Sequence, residues 1–516
     1  MSTTTSRVFK NISANWLALL INIVVSFFLA PFVVNHLGAE MYGIWAVAMQ
    51  FTGYIYLMDF GVRDSLIRYT AKYRASGNAL ALRRILSVAI LIYLPVFLAA
   101  LLAAAGVAYG LSKWANIEGE LVNAARITVF LVGASIASTF LFNIYTGLLQ
   151  GLQRFDVTNG IYVVIGLLRA ATIVVVLKAG GGVVDMAWIQ FGFTVLTGIA
   201  CYFAANIFMK RVGLSLRPAR VTGRKLRALL RLVSGYSVYV FINNIGQKLA
   251  FATDALVISL FMPIASVTFY AIAGNLISYL HALISATATV FTPVASQYAA
   301  RKDREGLRML MLRSTRLSLM VGLPIACTYV ILGDIFIGLW MGEQFVEQAS
   351  MVLLILGLTQ ILSFPHYPIA SILYGIGRHR TLAFLRMGEG IINLVLSMVL
   401  VQSMGLMGVA LGTAIPHTVI FGVILPIHAC SLLGIPWRKY ITSSLIGPLL
   451  NAIPFMLAAW FVHEEVVPTG LTSFFAIIAV LCFLYMITGY GLCLNDEERG
   501  MVRARLQRYL PERQAR

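Results

Sequence analysis

Apolar residues along this chain occur in long continuous runs, not in the alternation typical of half-buried strands. A run of about twenty apolar residues folded as a helix crosses the roughly 30 Å hydrocarbon core of a bilayer. Membrane-spanning strands would alternate apolar and polar residues instead. The pattern therefore predicts an all-α polytopic membrane protein. Its fourteen candidate spans lie at roughly 12–35, 42–62, 85–110, 124–148, 157–178, 184–208, 233–261, 264–292, 312–333, 348–374, 381–402, 407–432, 441–462 and 469–492.

Composition supports this class of protein. Charged residues make up 11% of the chain and hydrophobic ones 59%, whereas a soluble domain carries about 25% charged residues. The apolar surplus is too large for one globular core and needs a hydrocarbon solvent. A soluble enzyme or a soluble binding module is excluded.

Positive charge collects on one side of the predicted spans. Of the 39 Lys and Arg residues, 34 fall in alternate loops and both tails, while Lys113, Arg126 and Lys178 lie on the other side. By the positive-inside rule, the basic loops and both termini are expected in the cytoplasm. The net charge of +19 is therefore a topology signal with a minor contribution to membrane-lipid contact. It does not indicate a nucleic-acid partner.

The chain also contains an internal repeat. A shift of 224 residues superposes the segment 146–156 on 370–380, with Gly151 on Gly375, and a shift of 228 superposes Tyr42 on Tyr270. Each copy has six spans, so both copies are expected to have the same orientation in the membrane. The predicted division is a six-helix bundle at 1–209, a basic cytoplasmic linker at 210–232, a second six-helix bundle at 233–433, a helix pair at 434–494 and a basic cytoplasmic tail at 495–516.

Polar side chains form a face along each of two spans, narrow on the first and wide on the seventh. Asn15 and Asn22 lie on one face of the first span, where they favour either interhelical hydrogen bonds or a water-filled lumen. The seventh span is the most polar, and its wide polar face indicates a lumen. That face carries Asn243, Asn244, Gln247, Lys248 and Asp254.

Ionisable side chains inside spans are costly to keep and need a partner or a wet cavity. Arg169 lies deep in the fifth span, where it either forms an ion pair with Asp254 or Glu389 or binds an anion in a lumen. In the eleventh span, Arg386 and Glu389 share one face and can form a local ion pair.

Further titratable groups are candidates for ion coupling or mark the inner mouth of the protein. His281 in the eighth span is either a structural histidine or a proton carrier, and Asp254 and Glu389 are further candidates for a coupling ion. Asp59, Arg63 and Asp64 lie at the cytoplasmic end of the second span, where a solvated ion-pair cluster is expected.

Catalytic motifs are absent from the sequence. It contains no nucleotide-binding P-loop, no HExxH motif and no cluster of Cys and His at metal-ligand spacing. We therefore expect no enzyme activity, no cofactor and no metal. The acidic outer turns around Asp334 and Glu464 are the only candidates for a glycan polymerase or acyltransferase.

Several segments are similar to one known family. LGAEMYGIW at 37–45, MDFGVRDSLIRY at 58–69, TGLLQGLQRFD at 146–156, FYAIAGNLIS at 269–278 and VFTPVASQYAA at 290–300 resemble the Wzx-like polysaccharide flippases of the multidrug/oligosaccharidyl-lipid/polysaccharide exporter superfamily. The resemblance covers spans 1 to 12, and it leaves open whether the chain is Wzx-like or belongs with the exopolysaccharide or lipid II flippases.

This resemblance implies a transporter of the bacterial inner membrane. It would move an undecaprenyl-diphosphate-linked oligosaccharide from the inner to the outer leaflet by alternating access. Arg169, Lys248 and Arg386 would bind the diphosphate, and the amides of the polar faces would contact the glycan. Other polysaccharide-assembly proteins are candidate partners, and the protein is expected to act as a monomer. A multidrug exporter is the alternative within the superfamily.

Overall fold

A computed structural model describes residues 2–59, 61–114, 119, 121–211, 213, 218–219, 221, 223, 226–227, 253–493 and 499–500. In these ranges the secondary structure is helical and contains no strand. The α-helices are α1 Ser2–Ile55, α2 Val62–Ala75, α3 Ala79–Trp114, α4 Leu121–Gly151, α5 Phe155–Lys178, α6 Val183–Arg211, α7 Asp254–Phe261, α8 Ala265–Ala288, α9 Phe291–Ala300, α10 Arg304–Ile331, α11 Gly333–Met341, α12 Val346–Ser363, α13 His366–Gly375, α14 His379–His417, α15 Leu425–Leu433, α16 Trp437–Tyr440, α17 Ile446–Phe461 and α18 Leu471–Leu492. Short π-helical segments occupy Thr418–Ile424, Ile441–Leu445 and Val462–Val466.

Eleven helical segments of the described residues are long and apolar enough to cross a membrane. Two of them are double length: Leu17–Asp59 has 43 residues and Arg380–Leu433 has 54, or about 65 and 80 Å at 1.5 Å per residue. Each is interrupted at a non-helical glycine, Gly38 with φ 76° and Gly405 with φ 57°. These interruptions coincide with the predicted loops between spans 1 and 2 and between spans 11 and 12. The predicted seventh span lies mostly outside the described residues, so the count of fourteen stays a prediction.

Apolar side chains point outward along these helices. On α5, Val164, Leu168 and Val175 expose 57%, 52% and 66% of their surface. Such a surface would be unfavourable in water but is suited to a hydrocarbon solvent. The predicted class, an all-α polytopic membrane protein, is confirmed.

The described residues divide into two compact units. The first comprises Met1–Ala271 and Arg386–Val409, and the second Ile272–Leu385 and Ala410–Arg516. Within the first unit, the Thr253 hydroxyl donates to Asn393 Oδ1 at 3.2 Å, and the Thr268 hydroxyl donates to the carbonyl oxygen of Ala39 at 2.5 Å. The second contact joins residues that the sequence repeat assigns to different copies, whereas Thr253 and Asn393 both belong to the second copy. The sequence-based division into bundles, linker and tail therefore stays a prediction, and most of 210–232 and 495–516 lies outside the described residues.

Helix α4 is the most deeply buried span of the first unit. Small residues make this possible, because they let helix backbones approach closely in a membrane. A Cβ on Gly133 would meet Ala104 of α3, and a Cβ on Gly198 of α6 would meet the ring of Phe142 on α4. The hydroxyl of Ser135 donates to the carbonyl oxygen of Leu131 in the preceding turn at 2.9 Å. The polar residues Thr139, Asn143 and Thr146 of this closely packed helix lie among α1, α5 and α6.

The two turns matched by the sequence repeat have the same local geometry. After α4, the Arg154 amide donates to the Leu149 carbonyl at 2.9 Å, and after α13 the Arg378 amide donates to the Leu373 carbonyl at 2.8 Å. The residues before Arg154 and Arg378 are both left-handed, with φ 59° and 75°. Gly151 lies against α2 and Gly375 against α9, in each case too close for a Cβ. The repeat is therefore visible in these two turns.

Candidate functional site: a polar cavity in the first unit

A cavity of about 380 Å³ lies among α1, α4, α5 and α6 of the first unit. Its volume is within the range of about 300–1,000 Å³ typical of ligand pockets. Its lining mixes amides, hydroxyls and aromatic rings with one guanidinium. The lining residues are Ala18, Asn22, Thr139, Phe142, Asn143, Thr146, Asn159, Tyr162, Ile165, Gly166, Arg169, Phe193, Thr194, Thr197, Gly198 and Cys201.

Arg169 is the one charged residue among the described residues that line this cavity. Its Nη1 donates to Oε1 of Gln190 on α6 at 2.7 Å, so a neutral side chain holds the guanidinium. Within the described ranges Arg169 forms no ion pair. Its two predicted acidic partners have other contacts: Asp254 accepts from the Tyr270 hydroxyl at 2.6 Å, and Glu389 lies 3.7 Å from Arg386. The charge of Arg169 is thus not neutralised by a carboxylate of this part of the chain.

The polar face of the first span contributes Asn22 to the cavity. Asn22 Nδ2 donates to the carbonyl oxygen of Ala18 at 2.8 Å, and its Oδ1 points toward Gly166, where an added Cβ would lie 3.8 Å away. The amide therefore faces α5, as the lumen interpretation of this face requires. Asn15 lies on the same helix, about two turns earlier, but its side chain lies outside the described residues.

Most of the uncharged lining was missed by reasoning from the sequence, which considered chiefly ionisable groups within spans. Threonine hydroxyls project from α4 and α6, and Asn143 and Asn159 from α4 and α5. Amides inside apolar runs were the available signal, since they too require a partner or water in hydrocarbon. Three rings, Phe142, Tyr162 and Phe193, complete the wall.

Asp59 differs from the expected solvated cluster. It is 7% exposed, and its Oδ1 accepts from the Tyr93 hydroxyl at 2.7 Å and from Asn143 Nδ2 at 3.2 Å. The expectation of a solvated ion pair was wrong for this residue, because α3 and α4 cover it. Asn143 lines the cavity, and Asp59 lies behind the cavity wall. The carboxylate of Asp59 therefore orients the Asn143 amide.

The other two residues of this cluster lie nearer to water. Arg63 is half-buried and donates to Oε1 of Gln150, at the end of α4, at 3.1 Å. Asp64 is exposed. That this cluster marks a cytoplasmic mouth stays a prediction.

Arg386 and Glu389 are not among the described residues that line this cavity. Arg386 and Glu389 form the local ion pair that the sequence suggested, with Glu389 only 2% exposed, so their roles in substrate or ion binding stay predictions. Lys248 and the three amides of the seventh span, Asn243, Asn244 and Gln247, lie outside the described residues.

His281 belongs to the second unit. One of its ring nitrogens, Nε2, lies 2.8 Å from Oε1 of Gln360. The ring of His417 lies close to that of His281, and the ring of His366 lies close to that of His417. His366 was not among the residues singled out in the sequence.

Comparison with known proteins gives two family matches. The model of the family described as "Polysaccharide biosynthesis protein" matches residues 8–299, more than half of the chain. The MatE family model matches residues 240–399.

Individual relatives and a solved structure agree with these matches. The chain is 23% identical over 505 residues to the uncharacterized membrane protein EpsK of Bacillus subtilis, covering 96% of this chain and 98% of that protein. It is 25% identical over 189 residues to the probable low-salt glycan biosynthesis flippase Agl15 of Haloferax volcanii, covering 37% of this chain and 40% of the relative. The structure of the lipid II flippase MurJ in an inward closed conformation matches with a TM-score of 0.71 at 14% identity, covering 93% of this chain and 98% of the other.

The structural match shows the fold, and the family model covers all the described residues that line the cavity. The chain therefore belongs to the polysaccharide biosynthesis protein family, within the exporter superfamily that its motifs resemble.

Proposed function

We propose that this protein is a flippase that moves an undecaprenyl-diphosphate-linked oligosaccharide from the inner to the outer leaflet of a bacterial inner membrane by alternating access. The observation that carries the proposal is the polar cavity with Arg169 as its only charged lining residue among those described. The O-antigen, capsule or exopolysaccharide pathways would use such a substrate. The similarity to Agl15, a probable low-salt glycan biosynthesis flippase, supports the same class of function.

The diphosphate is the part of the substrate that hydrocarbon excludes most strongly. Moving it across a bilayer requires donors that replace its hydration. A guanidinium can donate two parallel hydrogen bonds to phosphate oxygens, and such charge-assisted bonds are about twice as strong as neutral ones. Gln190 holds Arg169 in place, and because Gln190 is neutral it does not offset the positive charge of the guanidinium. The other N–H groups of Arg169 can then donate to an anion.

The uncharged lining suits the glycan. Sugar hydroxyls both donate and accept hydrogen bonds, as do the amides of Asn22, Asn143 and Asn159 and the threonine hydroxyls. The aromatic rings offer apolar faces to the carbon-bound hydrogens of sugar rings. The polyprenyl chain would remain in lipid, which also makes membrane lipids a partner of this protein.

The test is flipping of a fluorescent polyprenyl-diphosphate oligosaccharide in reconstituted vesicles. We expect Arg169→Ala to slow flipping about tenfold or more, because a hydrogen bond to a charged group contributes about 1.5–3 kcal/mol. Arg169→Lys should retain part of the rate.

The matched control is Lys178→Ala, which removes an exposed cation from the end of the same helix. It should flip the substrate at the wild-type rate. Wild-type rates in the Arg169→Ala vesicles, at equal protein density, would contradict the role of this cavity.

A multidrug exporter is the second candidate, and the MatE match at 240–399 favours it. An exporter of organic cations needs an anionic binding site, whereas the charge in this cavity is positive. Transport of an organic cation by the same vesicles, without movement of the lipid-linked glycan, would establish the multidrug function instead.

A glycan polymerase or acyltransferase would require carboxylates that converge at an outer turn of the protein. Asp334 and Glu464 do converge, since His463 lies 2.9 Å from the first through Nε2 and 3.5 Å from the second through Nδ1. Both carboxylates are engaged by the histidine, in an arrangement that links the start of α11 to the π-helical segment after α17. This arrangement is suited to an ion pair between helix ends, and the family is one of transporters, so we do not propose catalysis.

A further inference from the structure

Three histidines of the second unit lie close together. His281 lies on α8, His366 begins α13 and His417 ends α14. The ring centroids of His281 and His417 are 6.5 Å apart, and those of His366 and His417 are 5.5 Å apart. His366 and His417 are each 2% exposed. We call these three residues the histidine cluster.

Hydrogen bonds define which ring nitrogen of two of these histidines carries hydrogen in the neutral state. His366 Nδ1 lies 2.7 Å from the Ser363 carbonyl oxygen, which can only accept, so Nδ1 is the donor. His281 Nε2 lies 2.8 Å from Oε1 of Gln360 and is likewise the donor. Every neutral imidazole has one N–H and one nitrogen with a lone pair, so uptake of a proton by His366 or His281 would occur at the ring nitrogen opposite the donor.

The neighbours of the cluster are mostly aromatic. The Tyr367 ring centroid is 3.8 Å from that of His366 and 5.8 Å from that of His281. Phe421 lies 5.0 Å from His366 and 5.2 Å from His417. Electron-rich ring faces are compatible with a neighbouring cation, so this environment tolerates a single imidazolium.

The helices packed around the cluster carry few charges. α8, α13 and residues 402–433 contain no Asp, Glu, Lys or Arg. α12 has one, Glu347 at its start, about 20 Å along the helix from Gln360. α10 contacts Phe364 at Gly322, and the charged residue of α10 nearest to Gly322 along the helix is Arg316, about 9 Å away. The other titratable side chains on these elements are Tyr270, Tyr279, Tyr374, His428, Cys430, Arg304, Glu305, Arg308, Arg313, Cys327 and Tyr329.

The geometry points to the histidine cluster as a proton-binding site that couples movement of the lipid-linked glycan to a proton gradient. One imidazole lone pair takes up a proton to give an imidazolium, and release reverses this step without any other bond changing. Repulsion between imidazoliums 5.5–6.5 Å apart limits the cluster to one proton at a time. Within the described ranges, no three His, Cys, Asp or Glu side chains have the arrangement needed for a metal ion, so the cluster is assigned to a proton.

The transport half of this inference rests on the proposed flippase function, but proton binding does not, so proton binding is tested first and alone. The chain has seven histidines, and imidazole carbon labelling in detergent-solubilised protein gives one NMR signal for each. His→Gln replacements assign the signals. We expect a signal of the histidine cluster to titrate between about pH 5 and 8 and to shift when another cluster member is replaced. Constant chemical shifts for all three across this range would overturn the proposal.

The second test imposes a pH gradient on the vesicles described above. Wild-type flipping should respond to the gradient at least fivefold, whereas His281→Gln, His366→Gln or His417→Gln should flip at the gradient-free rate under both conditions. His428→Gln, an exposed histidine of the same unit, should keep the wild-type response. Cluster variants with an unchanged response would remove the coupling role. A wild-type protein that never moves the glycan would instead contradict the proposed function, while the NMR titration still decides proton binding.

Discussion

At the scale of residues, two charged side chains of the first unit, the half-buried Arg169 and the buried Asp59, have different roles. Arg169 faces the cavity with a neutral partner, Gln190. Asp59 lies behind the cavity wall, where Tyr93 and Asn143 donate to the same carboxylate oxygen. The first is suited to bind an anion, and the second to hold the amide of Asn143 in one orientation. Their sequence positions did not distinguish these roles, because each is simply a charge near the end of, or inside, an apolar run.

Replacement of Asp59 by Ala should destabilise the protein by about 1–3 kcal/mol. The Tyr93 hydroxyl and the Asn143 amide would lose their acceptor in a buried place, and the desolvation of unsatisfied donors is then uncompensated. The measurement is the thermal unfolding midpoint of the purified protein in detergent.

Asp64→Ala is the control for this change, since Asp64 is an exposed carboxylate five residues further along the chain. Its midpoint should stay within about a degree of wild type, because surface substitutions alter the unfolding free energy by less than about 0.5 kcal/mol. Equal losses in the two variants would show that Asp59 is not buried as described.

At the scale of elements, close helix packing depends on glycine at two matched positions. At the end of α4, a Cβ on Gly151 would lie 2.5 Å from Thr70 Cβ of α2, and at the end of α13 one on Gly375 would lie 2.6 Å from the Thr292 carbonyl oxygen of α9. The sequence repeat superposes these two glycines. It could not show that each lies against a short helix, since that contact joins segments about 80 residues apart.

Gly151→Ala should therefore destabilise the first unit by about 1–3 kcal/mol, the usual cost of overpacking. Gly160→Ala offers a comparison in the same unit, because a Cβ there meets no atom within 4 Å. That variant should be neutral or up to about 1 kcal/mol more stable, as alanine is the better helix former. Thermal unfolding in detergent measures both, and a stable Gly151→Ala protein would argue against the contact between α4 and α2.

At the scale of the whole molecule, charge and hydropathy decide orientation. The side that carries 34 of the 39 Lys and Arg residues includes the loop between α2 and α3 and the turn between α4 and α5. The opposite side includes the turn between α5 and α6, after Lys178. The family match supports a membrane transporter, and the positive-inside rule is what predicts the direction.

Labelling of single cysteines in intact cells tests this orientation. In a chain whose five cysteines are replaced, a membrane-impermeant maleimide should label Lys178→Cys and should label Ser76→Cys only after the membrane is opened. Both positions are exposed. The reverse pattern would place the termini outside.

The sequence by itself determined the helical membrane fold, the positions of most spans, the family and the orientation expected in the membrane. The family came from the resemblance of sequence motifs, whereas the fold, spans and orientation follow from local composition: twenty apolar residues need a bilayer wherever they pack, and loop charge is read during insertion. Gly38 and Gly405 lie within the short loops predicted between apolar runs. In the structure each loop is reduced to a bend at the glycine, without a long turn.

Only the tertiary structure decided which polar residues meet. It brought Asn22, Asn143 and Arg169 to one cavity from three helices, buried Asp59 that the sequence placed in water, and gathered His281, His366 and His417 from segments up to 136 residues apart. Helices in a membrane can rotate about their axes with little change in apolar burial, so the face that each one turns inward is set by close packing of small residues and by hydrogen bonds between helices. Those contacts join distant segments, and no local pattern of the chain encodes them.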